Sequence, residues 1–329
     1  MGAEETGGRV RSFGLDAREA RRQLRKRPSS QPTLTIPQAF ELDDLTFGIL
    51  WALANLDDAL SADDLALDEE VRELRAYEQL PSSAVSRETV ADLSTVSQMW
   101  LGSSFCARHI LRGLDGLAEV PLFWTREQRG EEASTWLLFR HKYDYLRVTS
   151  KRFAGEGAPL VRGFCVPEKV IRGSPRFERA VFFLSVALME SLGIETMVCV
   201  EPEYSNVDGF VLAPSQEAII ANWVRSEGVW HVDKTARRSV LQDFAEAAGY
   251  VQAHSATAAP TPAGRLLALA RYLDLDWDWL RRRCRELGEY GCGRLAGPRN
   301  RLMSIAGLDA ACQFVGGLPL DKDRVLTPA

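Results

Sequence analysis

A chain of 329 residues with 46% hydrophobic side chains is long enough for two or three domains and apolar enough for a sizeable core. Its net charge of -5 excludes a protein that is basic throughout, while leaving room for a local basic surface. The polar N-terminus has no signal-peptide core, and the most apolar stretch, around 180–192, is too short and interrupted to span a bilayer. A cytoplasmic protein with no membrane partner is therefore expected.

Residues 1–36 read as a basic flexible arm. Arg18, Arg21, Arg22, Arg25, Lys26 and Arg27 would give a helix over 16–27 a basic surface, and Pro28 and Pro32 would end it. Arg21, Arg22 and Arg25 are candidate DNA contacts; a solvated tail is the competing reading.

Residues 37–152 predict a helical domain. Phe40, Leu45, Phe47, Ile49, Leu50, Leu53 and Leu56 mark a buried helix that runs into Asp57-Asp58, Asp63-Asp64 and Asp68-Glu69-Glu70. Clustered carboxylates suit magnesium, and the aspartate-rich helix resembles the diphosphate-binding helix of terpene cyclases. No second metal-binding segment accompanies it, and an acidic, solvated helix end accounts for the same letters. No metal site is assigned. A second helix is predicted over 87–111, capped by Ser86, then a short aromatic stretch at 120–124, and a third helix over 131–148. The glycines and proline of 153–159 mark a boundary.

Residues 159–252 predict a small α/β unit. A strand at 160–166 precedes a helix over 174–192, opened by Ser174 as cap and Pro175 at the first helical position and closed by Gly193. This helix is apolar on all sides, so Phe182, Leu184 and Leu188 should all be buried. Strands at 194–200, 207–212, 218–224 and 229–232 follow, separated by turn residues, and a helix over 235–248 ends the unit. A linker at 255–262 leads into a helical C-terminal region, 261–329. The expected fold class is α+β: a helical N-terminal domain, a small α/β unit with one buried helix, and a helical C-terminal segment.

Chemistry is sparser. Glu201, Glu203, Asp208 and His231 fall at strand ends and turns, where they could line a ligand site or do acid–base work. The chain has no GxSxG, P-loop, HExxH or strand-to-helix GxGxxG pattern, and its four histidines are dispersed. No catalytic residue or cofactor is assigned, and the enzyme reading ranks below a binding one. The six cysteines form no CxxC pair and read as buried, reduced thiols.

The segment 266–287 has the spacing of a helix-turn-helix. Ala270 would sit at the helix crossing, Asp274 would take the left-handed turn position, and Leu273, Leu275 and Leu280 would be buried. The second helix carries Arg281, Arg282, Arg283 and Arg285. At about 100° per residue Arg281 and Arg285 share a face with Arg282 nearby, while Arg283 points away. Arg281, Arg282 and Arg285 are thus candidate DNA contacts; a structural helix pair with a basic outer face is the alternative.

Two resemblances bear on function. Glu201-Pro202 ending one strand and Val207-Asp208-Gly209-Phe210-Val211-Leu212 beginning the next resemble half of a phospholipase-D-like domain. That family's catalysis needs a His-x-Lys pair, whereas His141 and Lys142 are adjacent on a predicted helix, so the resemblance implies a non-catalytic version used for binding or dimerisation. The segments Leu45-Thr46-Phe47-Gly48-Ile49-Leu50-Trp51-Ala52 to Asn55-Leu56-Asp57-Asp58 and Ile220-Ala221-Asn222-Trp223-Val224 to Trp230-His231-Val232-Asp233 are similar to actinobacterial regulators that join a helix-turn-helix to an effector or oligomerisation region. This resemblance implies a transcriptional regulator with DNA, a small-molecule effector and a second copy of itself as partners. A small-molecule enzyme and a protein–protein scaffold are the alternatives.

Overall fold

The computed structural model describes residues 2–6, 9–14, 17, 21–22, 25, 36–155 and 157–319. Its centre is a seven-stranded mixed sheet built from β3 (Ser83–Ser86), β4 (Leu122–Thr125), β5 (Leu160–Cys165), β6 (Ile194–Cys199), β7 (Phe210–Ala213), β8 (Glu217–Asn222) and β9 (Gly228–Thr235). The order across the sheet is β3-β9-β8-β7-β4-β5-β6. β4, β5 and β6 run parallel, and every other pairing is antiparallel. Parallel neighbours need long crossovers. Helices α4 (Gly130–Leu138) and α5 (Arg140–Phe153) make the first, and α6 (Glu168–Gly173) and α7 (Arg176–Ser191) make the second. β7, β8 and β9 form a meander closed by short turns.

The remaining helices are α1 (Asp44–Ala62), α2 (Asp64–Leu74), α3 (Thr95–Leu114), α8 (Arg238–His254), α9 (Pro262–Tyr272), α10 (Trp277–Tyr290) and α11 (Ala306–Gly317). The alternation of side chains along a strand divides the sheet's faces between two cores. Trp124, Phe210 and Leu212 point to one face, where α8 covers them with Leu241, Phe244 and Val251. Phe123, Phe164, Val211 and Ile219 point to the other, into a larger core shared with nearly all the other helices. The fold is α+β, as expected.

The expected boundary at 153–159 is not a division of the fold. β3 and β4 lie upstream of it yet pair in the same sheet as the later strands, and the larger core runs without interruption from Ala39 to Val315. α7 is as buried as its composition predicts, with Phe182 at 2% exposure and Leu184 and Leu188 at 0%. It packs against α1, α4, α9, α11 and β6. Its start differs: Pro175 itself is the cap residue and Ser174 makes no capping bond. Gly193 follows with φ of +75°, a conformation open to glycine at little cost.

Two predicted helices are each two pieces. Ser86 caps only a short 3-10 turn over Arg87–Val90, and α3 starts afresh where the Ser94 hydroxyl accepts from the Ser97 amide. The stretch 131–148 breaks at Phe139, whose extended backbone bridges Met303. The expected linker at 255–262 is pinned to the sheet, with Thr257 buried and bonded to the Thr196 carbonyl. The N-terminal arm also opens with structure. β1 (Gly2–Thr6) and β2 (Arg9–Phe13) form an antiparallel hairpin, and Leu42 N donates to Ser12 O. Arg18, Lys26, Arg27, Pro28 and Pro32, and the C-terminal residues 320–329, lie outside the described residues. Among the described residues no helix is long and apolar enough to cross a membrane.

Candidate functional site

Of the four strand-end residues singled out in the sequence, the structure brings two together. Asp208 pairs with Arg126 at 3.3 Å, and both line an open cleft with His231 and Arg225. Glu201 and Glu203 are exposed at the start of a 3-10 turn over Pro202–Asn206, and Glu201 faces a separate depression beside Tyr272. The four do not form one site.

The turn between α9 and α10 has the backbone expected of it, and of the three arginines expected to face outward Arg281 is buried while Arg282 and Arg285 are exposed. Asp274 adopts φ of +53° between α9 and α10, as the spacing requires. Arg281, however, is 1% exposed and donates to the Leu318 carbonyl, while Arg285 Nε donates to the Gly316 carbonyl. α11 and the residue after it have docked against part of the face predicted to meet DNA and cover Arg281. The close approach is possible because Gly316 has no side chain: a Cβ there would lie 2.6 Å from Arg285 Cα. Arg283, predicted to point elsewhere, is buried as well, its fork bonded to Asp43 at 2.7 Å and to the carbonyls of Gln38, Ala39 and Glu41. Arg282 and Arg285 are exposed, beside the equally exposed Asp278 and Glu289, so this outer face is mixed in charge. Arg21, Arg22 and Arg25 of the arm are helical and exposed.

The strongest chemistry lies behind the Arg126 cleft, where the C-terminal end of β4 meets α3, α4, α5 and the loop after β8. The chain leaves β4 through Glu127, crosses α4 with Trp136 on its inner face, and enters α5 at Lys142. It then returns to the sheet in β5, whose otherwise apolar run is interrupted by Arg162. A charged residue inside a central strand is unusual, because such strands are buried on both faces. The crossover thus gathers Glu127, Trp136, Lys142, Tyr145 and Arg162 around a small cavity of about 50 Å³. Arg126 and Asn222 line both this cavity and the open cleft, which makes the cleft its mouth.

Lys142 and Glu127 form an ion pair at 2.9 Å, with their side chains 3% and 4% exposed. The Lys142 ammonium also sits 3.7 Å from the Trp136 ring centroid and 4.1 Å from that of Trp223. Burial lowers its pKa to about 8, against the opposing pull of Glu127. Arg162, 4% exposed, is held differently. Its guanidinium lies over the rings of Phe123 and Trp136, donating to Thr125 Oγ1 at 2.7 Å and to Tyr145 Oη at 3.2 Å. Its Nε–H has no acceptor, and among the described residues no carboxylate pairs with it. Burial raises the Tyr145 hydroxyl pKa and pushes the Cys106 thiol up, so neither supplies an anion at neutral pH. Burial, and Lys142 beside it, hold His141 well below its usual range, and its neutral ring meets Ser103 Oγ at 2.9 Å.

The interior therefore carries two cations and one carboxylate. Such a site binds an anion more readily than it performs nucleophilic chemistry, because its thiol is protonated and its lysine is largely charged at pH 7. Among the described residues no group of three or more His, Cys, Asp or Glu side chains is arranged to hold a metal. All six cysteines are buried and free, as expected.

At the mouth, Arg225 adopts φ of +54°, a strained conformation for a residue with a side chain. It pairs with Glu132 at 3.4 Å, and Glu132 in turn accepts from the Gln128 amide at 2.8 Å. In the sequence Lys142 stands at the wrong spacing from its histidine neighbour and so draws no attention. Arg162, alone in an apolar strand, is the signal that could have found this site. No family model matches this chain, and neither a curated protein nor a solved structure is found to be similar to it.

Proposed function

We propose that this chain is a cytoplasmic regulatory protein, a transcriptional regulator whose α/β core binds a small-molecule effector in the Lys142–Arg162 cavity. The observation that carries the effector part is the charge imbalance of that cavity. Two buried cations with one carboxylate cost stability, and a purely structural core would be better served by apolar side chains. DNA contact is assigned to the arm residues Arg21, Arg22 and Arg25, with Arg282 and Arg285 as secondary contacts. Arg281 is not among them, because its guanidinium is engaged inside the fold. A homodimer completes the reading, with the exposed Leu65, Tyr77 and Leu80 on and after α2 supplying apolar contact.

The test is fluorescence anisotropy on duplex DNA over a salt series. Replacing Arg21, Arg22 and Arg25 with alanine should weaken binding and reduce the salt slope by about one unit for each phosphate no longer neutralised. If the unaltered protein shows no salt-dependent binding, the transcriptional reading fails. The small-molecule enzyme is then favoured by one observation, a buried lysine of lowered pKa bonded to a glutamate. That enzyme would use Lys142 and Glu127; Glu201 and Glu203 lie elsewhere.

A further inference from the structure

The cavity carries more information than that a ligand enters it. Lys142 and Arg162 both lie against Trp136, 3.7 Å and 4.9 Å from its centroid to Nζ and Cζ. Only Lys142 has a carboxylate partner. Arg162 has hydroxyls on its two terminal nitrogens and no acceptor on Nε, and the buried Trp136 Nε1–H also lacks one. The unmet donors are thus planar N–H groups among aromatic walls. The remaining charge is a single positive one, because Arg126 and Arg225 at the mouth are already paired with Asp208 and Glu132.

We infer that the cavity takes a small, planar, aromatic carboxylate, whose carboxylate completes the Arg162 fork while its ring extends toward the mouth at Arg126 and Asn222. A guanidinium matches a carboxylate through two parallel hydrogen bonds. One carboxylate cancels the one surplus charge, whereas a phosphate dianion would overshoot it and would carry a heavier desolvation cost into an aromatic pocket. The enclosed space is about 50 Å³ and opens into a cleft of about 620 Å³, so the ligand is limited to a single ring that extends toward the mouth. This deepens the effector reading, and rests on it only in treating the cavity as a ligand site.

The experiment uses the full chain and three probes, benzoate, benzamide and inorganic phosphate, with binding read by calorimetry and tryptophan fluorescence in the absence of DNA. Benzoate should bind in the millimolar range or tighter and quench the fluorescence. Benzamide, the same shape without the charge, should bind at least about ten-fold more weakly. Phosphate should not displace benzoate. Arg162→Lys, which keeps the charge but loses the fork, should weaken benzoate about ten-fold while circular dichroism stays unchanged. Equal binding of benzoate and benzamide, displacement by phosphate, full affinity in the lysine variant, or no benzoate binding at tens of millimolar would each overturn the inference. The comparison of the first two probes needs no variant, so it stands even if substitution at Arg162 disturbs folding. Benzoate binding that leaves DNA association unchanged keeps this inference and removes the regulatory reading instead.

Discussion

Arg265 and Arg162 are both arginines buried in the same core, and they are treated in opposite ways. Arg265 on α9 donates from Nε and Nη2 to the two oxygens of Glu190 at 2.9 and 2.8 Å, and from Nη1 to the Ala259 carbonyl at 3.0 Å. Every side of its fork is met by the chain itself. Arg162 has two hydroxyls and no carboxylate. A fully satisfied buried pair clamps two elements, here α7 and α9, and offers nothing to a ligand. An under-satisfied cation beside a cavity is costly as structure, which makes it informative about function.

Substitution measures that difference directly. Glu190→Ala strands a buried Arg265 and should have the largest effect, a loss of about 3–5 kcal/mol in chemical denaturation. Lys142→Met strands Glu127 and should cost about 2–4 kcal/mol. The double variant Lys142→Met/Glu127→Gln should recover most of that loss, because no lone charge remains. Arg162→Met orphans only the Thr125 and Tyr145 hydroxyls and should cost about 1–2 kcal/mol. If it costs as much as Glu190→Ala, Arg162 is a structural clamp and the contrast between the two arginines disappears.

The pH dependence is a finer test. The folded pKa of Lys142, about 8, lies below its ordinary value of 10.5, so between those values the unfolded chain binds more protons than the folded one. This residue's contribution to stability therefore rises with pH across that window, by about 1 kcal/mol from pH 8 to 9. Buried cysteines and tyrosines with raised pKa act in the opposite sense, so the slope belongs to the difference between wild type and the Lys142→Met/Glu127→Gln variant. Smallest of all, Arg282→Ala should change stability by no more than about 0.5 kcal/mol, since that side chain is exposed.

How far the sequence could be read depended on whether the information was local. The density of apolar residues around Phe182 and Leu188 marked α7, and apolar runs bounded by turn residues marked β5 to β9, because burial writes itself into composition within one element. The left-handed turn at Asp274 was legible for the same reason. The exposure of a helix face was not. The spacing of Arg281 and Arg285 placed them on one side of α10, but the docking of α11 buried Arg281 and left Arg285 exposed. Of the candidate site only Arg162, a charge inside an apolar strand, left a local trace, since Glu127, Lys142 and Arg162 come together only when the crossover from β4 to β5 closes. The breaks at Ser94 and Phe139 depended on partners as well, Ser97 for one and Met303 for the other.

The pinned segment after α8 has a consequence for behaviour in solution. β6 is the last strand of the sheet on its side, yet the outward amide and carbonyl groups of Thr196 and Val198 are all occupied. Glu190 and Ser255 take the two amides, and Thr257 and Ala256 donate to the two carbonyls. A second chain therefore finds no unpaired ladder there on which to add a strand, the usual route from an open edge to fibrils. The opposite edge, β3, offers only four residues before a 3-10 turn ends it. Cutting out residues 255–257 would reopen the β6 edge, and concentration-dependent aggregation of that deletion, absent in the intact chain, would show that this short strap keeps the protein from joining sheets with its neighbours.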